Sequence, residues 1–75
     1  MTMVLKHYDN GKYYVCLEMV MQNIDMTAFL EVTMSEMVGG ILTYPERKMS
    51  YPYSELKKAT ATYNRYVREV KKRNA

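Results

Sequence analysis

Every second residue from 13 to 21 is apolar, while the residues between them are mixed. Tyr13, Val15, Leu17, Met19 and Met21 share one face, and Tyr14, Cys16, Glu18, Val20 and Gln22 share the other. A period of two with one apolar face predicts a half-buried strand. Residues 2–8 precede it across Asp9-Asn10-Gly11, so the two segments read as a β-hairpin. A two-residue Asn10-Gly11 turn would set Lys6 opposite Val15 and Val4 opposite Leu17. A three-residue turn would set His7 opposite Tyr13, Leu5 opposite Val15 and Met3 opposite Leu17. The second register puts apolar opposite apolar and is preferred.

Asn23-Ile24-Asp25 reads as a turn. Ala28, Leu30 and Val32 then alternate with Phe29, Glu31 and Thr33, which predicts a third strand. Thr33-Met34-Ser35-Glu36 matches a helix capping box. Met34, Met37, Val38, Ile41 and Leu42 follow at helical spacing up to Pro45, although Gly39-Gly40 is a cost inside that helix. A rival reading places a helix over residues 26–38, closed by Gly39, with a short strand over 41–44.

Residues 44–53 read as a loop with two Tyr-Pro bonds, either of which is free to be cis. Ser54 is placed to cap a last helix with Glu55 in its first turn. On a helical wheel Leu56, Ala59, Tyr63, Tyr66, Val67 and Val70 form a stripe about 120° wide, suited to packing on a sheet. Lys57, Lys58, Arg65, Arg68 and Lys72 fall on the far side, where Glu69 is spaced to reach Arg65 and Arg73. The expected fold is therefore α+β, one domain over residues 1–75. It has a three-stranded antiparallel meander, a short helix, and a long basic amphipathic helix packed on the sheet; the alternative order is ββαββα.

Charge sharpens this picture. From Glu46 onward nine Lys/Arg face three acids, so +6; before that point two Lys face five acids, so −3. Such asymmetry between halves points to a partner without naming one. At 75 residues the core is small, and self-association into a homodimer is one way to supplement it. The lone Cys16 excludes an internal disulfide, and Cys16 with His7 is too few for a structural zinc site. No apolar run is long enough for a membrane span, and the early charges Lys6 and Asp9 argue against a signal peptide. A cytoplasmic, reducing setting is expected.

No paired carboxylates, phosphate loop, triad or cofactor motif is present, so neither an enzyme nor a cofactor is expected. Eight methionines read mainly as adaptable core filler. The outer sheet face, with Val4, Tyr8, Tyr14, Cys16, Val20 and Phe29 beside Lys6, Glu18, Glu31 and Thr33, is half apolar and carries more acid than base. That balance disfavours base reading by the sheet. Two partner surfaces stand out. One is the aromatic and cationic loop Tyr44, Arg47, Lys48, Tyr51 and Tyr53, built from residue types enriched in protein hot spots. The other is the basic face Lys57, Lys58, Arg65, Arg68 and Lys72.

The expected function is a non-enzymatic regulator or inhibitor that binds a protein. Phages and mobile elements encode many small inhibitors of host machinery, anti-CRISPR proteins among them. The alternative is a nucleic-acid-binding module without sequence specificity, using the basic helix.

Overall fold

The computed structural model describes residues 2–22 and 27–73. Strands β1 (Thr2–Asp9), β2 (Tyr13–Met21), β3 (Ala28–Val38) and β4 (Ile41–Pro52) form one antiparallel sheet in the order β1-β2-β3-β4. A 3-10 turn, Tyr53–Glu55, leads into the helix α1, Leu56–Arg73. The architecture is thus a four-stranded meander with one C-terminal helix. It is neither the expected three strands with two helices nor the ββαββα order. The turn expected at Asn23-Ile24-Asp25 lies outside the described residues.

The decisive local feature is Gly39-Gly40. Both residues have positive φ, 61° and 80°, and Val38 pairs directly with Ile41. A two-residue hairpin turn with both central residues left-handed is a primed turn, open to glycine at no steric cost. The capping box is therefore not used. Thr33 and Glu36, three apart, fall on opposite faces of β3, and Met34 points into the core. The rival helix over 26–38 fails for the same reason, since its described part is strand. Its short strand over 41–44 is the start of β4.

Residues 44–53 are β4 and its exit rather than a loop. Two prolines fit there because β4 is an edge strand, where a missing N–H breaks no ladder on the outer side. Pro45 also sits where the register with β3 shifts. All described peptide bonds, both Tyr-Pro bonds included, are trans.

The first hairpin adopts neither expected register. Tyr8 pairs with Val15 and Asp9 with Tyr14, leaving Gly11 and Lys12 at the turn. The reason is side-chain chemistry. Asp9 Oδ1 accepts from Gly11 N–H (2.7 Å), and Asn10 Oδ1 accepts from Lys12 N–H (3.0 Å) and Tyr13 N–H (2.9 Å). These short-range bonds fix the turn one position further along the chain. A bulge between Val4 and Lys6 sets Met3 opposite Met19, not Leu17, and puts Lys6 and Tyr8 on the helix side. Both had been expected on the outer face.

The core lies between α1 and one sheet face. Val15, Leu17, Leu30, Val32 and Met34 from the strands meet Ala59, Tyr63, Tyr66 and Val70 from the helix. Each large side chain buried there contributes about 1.5–3 kcal/mol. The helical stripe is as expected except at its start. Leu56 is half exposed, and Thr62 replaces it in the interface by sharing a 2.5 Å hydrogen bond with the Tyr51 hydroxyl. Ser54 makes no cap; it lies inside the 3-10 turn, which has no side-chain cap bond.

Length places the rest of the molecule. An 18-residue helix is roughly 27 Å long, whereas a 12-residue strand is about 40 Å. The helix starts at the end of β4 and runs back over the sheet until Arg73 meets Glu46 at 2.6 Å. The strand segments beyond that point project without a helix over them, and the molecule is 42 Å long but only 24 Å and 16 Å across.

Candidate functional site

The projecting segment is a β-hairpin arm, residues 37–44. Its base is held to the body by Met37 N–H donating to the Lys12 carbonyl (2.7 Å). Across the arm Met37 pairs with Leu42 and Val38 with Ile41, and Thr43 Oγ1 donates to the Glu36 carbonyl at 2.9 Å. Ile41 is 72% exposed, Val38 60% and Tyr44 95%, with Leu42 also exposed. Leu42, Thr43, Tyr44 and Pro45 line a shallow concavity beside the tip. Val38 and Ile41, directly opposite each other, share one face of the arm, Leu42 stands on the other, and no charge falls between Met37 and Tyr44, so the arm carries exposed apolar side chains on both faces.

Val38, Ile41 and Leu42 had been assigned to a buried helical stripe, so sequence reasoning missed them as surface. The signal was present: a Gly-Gly pair flanked by β-branched residues is a hairpin signature.

The five residues of the expected aromatic loop do not form one surface. Only Tyr44 lies on the arm. Arg47 and Tyr51 face the helix side, where Arg47 Nε pairs with Glu69 (2.9 Å) and Tyr51 joins Thr62. Lys48 faces the opposite side and pairs with Glu31 at 3.5 Å. Tyr53 is exposed in the 3-10 turn at the other end of the sheet.

The structure does bring the basic residues together. Lys57, Lys58, Arg65, Arg68 and Lys72 are all exposed along the back of α1. Lys58 pairs with Glu55 at 3.2 Å, and the Arg65 guanidinium lies 5.6 Å from the Tyr66 ring centre. Glu69, spaced to reach Arg65, turns instead to Arg47 and Arg73. Arg73 and Lys71 swing to the sheet side, over the rings of Tyr13 and Tyr8.

On the sheet face away from the helix, Cys16 is only 1% exposed. It stands opposite His7 and Thr33, and the His7 ring stacks on Tyr14 with centroids 6.0 Å apart. Burial, reinforced by the hydrogen bond from Cys16 Sγ to Glu18 Oε1 (3.3 Å), pushes the thiol pKa up to about 12. Burial also raises Tyr14 to about 12. A thiol held protonated is a poor nucleophile and a poor metal ligand. Among the described residues no group of three or more His, Cys, Asp or Glu is placed to hold a metal, and no helix is long and apolar enough to cross a membrane.

No protein-family model matches the chain, and no curated protein or solved structure matches it either.

Proposed function

We propose that the chain is a non-enzymatic binding protein that engages a protein partner through the arm at residues 37–44. The observation that carries this reading is the apolar tip, where Val38, Ile41, Leu42 and Tyr44 are exposed together on a segment that the core does not use. An edge hairpin that buries such residues against a partner gains transfer free energy that offsets the cost of association. The protonated, sealed Cys16 supports the non-enzymatic part, and a lone buried thiol suits a reducing, cytoplasmic setting. Within this class we favour a small inhibitor of the kind phages and mobile elements encode. The shape supports it: the molecule is 42 Å long and 24 Å and 16 Å across, with the arm projecting beyond the helix.

Photo-crosslinking tests the proposal. A benzophenone amino acid replaces Tyr44, and the double variant Ile41→Ser/Leu42→Ser is run alongside in the cells of origin. The expected result is one discrete adduct with a defined protein, lost in the double variant while its melting temperature stays unchanged. Absence of an adduct, or an adduct only with a second copy of the chain, overturns the reading.

A further inference from the structure

We propose that the outer face of α1 binds the phosphodiester backbone of a nucleic-acid duplex through Lys57, Arg65, Arg68 and Lys72. At 100° per residue these four positions fall within an arc of about 80°, and from first to last they span about 22 Å of helix. That length covers on the order of six base-pair steps of one strand. All four are exposed, and none has an ion pair among the described residues.

The pairing pattern gives the strip its meaning. Acids are present nearby but committed elsewhere. Glu69 and Glu46 join Arg47 and Arg73 in a seam between β4 and the helix, Glu31 holds Lys48, and Glu55 holds Lys58 at the start of the strip. What is left on the back of the helix is positive charge alone. Solvated helix backs ordinarily mix both signs.

The same strip favours phosphate over other occupants. Ala61 and Asn64 are the residues interleaved among the four cations, so there is no aromatic or aliphatic anchor of the kind that gives protein hot spots their energy. Insertion into a membrane surface requires a free apolar face, yet Ala59, Tyr63, Tyr66 and Val70 are buried in the core. Purely cationic contact without anchors is how proteins hold phosphates independently of sequence. DNA and RNA duplexes share that chemistry. The strip is separate from the arm, so the two surfaces can act independently.

The experiment is fluorescence anisotropy of the full chain with a labelled 20-bp DNA duplex and an RNA duplex of the same sequence. Four phosphate contacts predict a salt slope near −3.6, so affinity for a DNA duplex should fall about 150-fold from ~50 to ~200 mM salt. In Arg65→Gln/Arg68→Gln the slope should halve, and the same change of salt should cost only about 12-fold. Its circular dichroism and melting temperature should match the wild type, because both side chains are exposed. The arm variant Ile41→Ser/Leu42→Ser should bind duplex like the wild type. Binding to either duplex with these slopes supports the assignment, and the ratio between the two duplexes tells which is preferred. No binding to either at ~50 mM salt overturns it. So does a slope that the arginine substitutions leave unchanged, or binding lost in the arm variant.

Discussion

β3 is one strand with two fates. Over its first half Leu30, Val32 and Met34 are sealed beneath α1, while near its end Val38, of the same residue type as Val32, is largely exposed. β4 repeats the contrast in reverse order: Ile41 and Tyr44 stand in solvent, and Tyr51 closes against the helix. Residue type does not separate the halves. Reach does, because the described helix ends at Arg73 beside Glu46 and goes no further along the sheet. In the body, the apolar side chains beneath α1 form the core, although Met3, Val4, Met49 and Leu56 at its margins are partly exposed. In the arm Val38, Ile41 and Leu42 lie outside that core, and the proposed partner surface rests on this difference.

The largest test of this contrast is a pair of truncations in the two halves. Leu30→Ala should cost about 2–5 kcal/mol, as transfer energy plus a cavity. That loss approaches the ~3–5 kcal/mol that a core of this size supplies. Ile41→Ala should stay within about 0.5 kcal/mol, as for a surface site. Urea midpoints measure both. Equal losses would mean that the arm is packed against something in solution, most simply a second copy, and the contrast would break.

What the sequence revealed follows the same division. The β2 alternation and the helical stripe were legible because each is a long, one-sided pattern whose period belongs to one structure only. Residues 33–45 were not. Met34, Met37, Val38, Ile41 and Leu42 satisfy helical spacing, and the same residues satisfy two strands around a turn. Periodicity cannot choose between these, and the choice rested on Gly39-Gly40, read as a cost when it is the turn. The hairpin register was lost for a different reason, the capture of three backbone N–H groups by Asp9 and Asn10 side chains, which hydrophobic pairing does not register. The basic strip was legible because charge needs no fold to be counted. The aromatic loop was misjudged as a unit because, once it is a strand, alternation sends Arg47 and Tyr51 one way and Lys48 the other.

The face of the body without a helix sharpens the comparison, since at its centre Cys16 is buried although Val4, His7 and Lys48 around it are exposed. The folded chain keeps this thiol protonated to about pH 12, whereas its ordinary value is 9.0. Between those values the unfolded chain has lost the proton and the folded chain has kept it. Stability is therefore fully present below pH 9 and declines as pH rises toward 12. In Cys16→Ala the decline should begin later, near pH 10, where an unfolded Tyr14 titrates, because burial raises that hydroxyl too. Melting temperatures from pH 8 to 11 read the difference. If Cys16→Ala follows the wild-type curve point for point, the thiol is not sealed, and the uncovered face resembles the arm more than the body.

The smallest effect uses two tyrosines on the same strand. Tyr51 shares its hydroxyl with Thr62, which is buried in α1, and Tyr44 is 95% exposed. Tyr51→Phe should cost about 1–3 kcal/mol, because Thr62 Oγ1 is left buried without its partner. Adding Thr62→Val should recover much of that loss, since removing both polar groups also removes the unmet one. Tyr44→Phe should change stability by no more than a few tenths of a kcal/mol. A double-mutant cycle at 51 and 62 isolates the pair, which links the end of β4 to the helix where the body begins. Coupling near zero there would mean that the hydroxyls turn to water, and that this end of β4 is held to the helix by apolar contact alone.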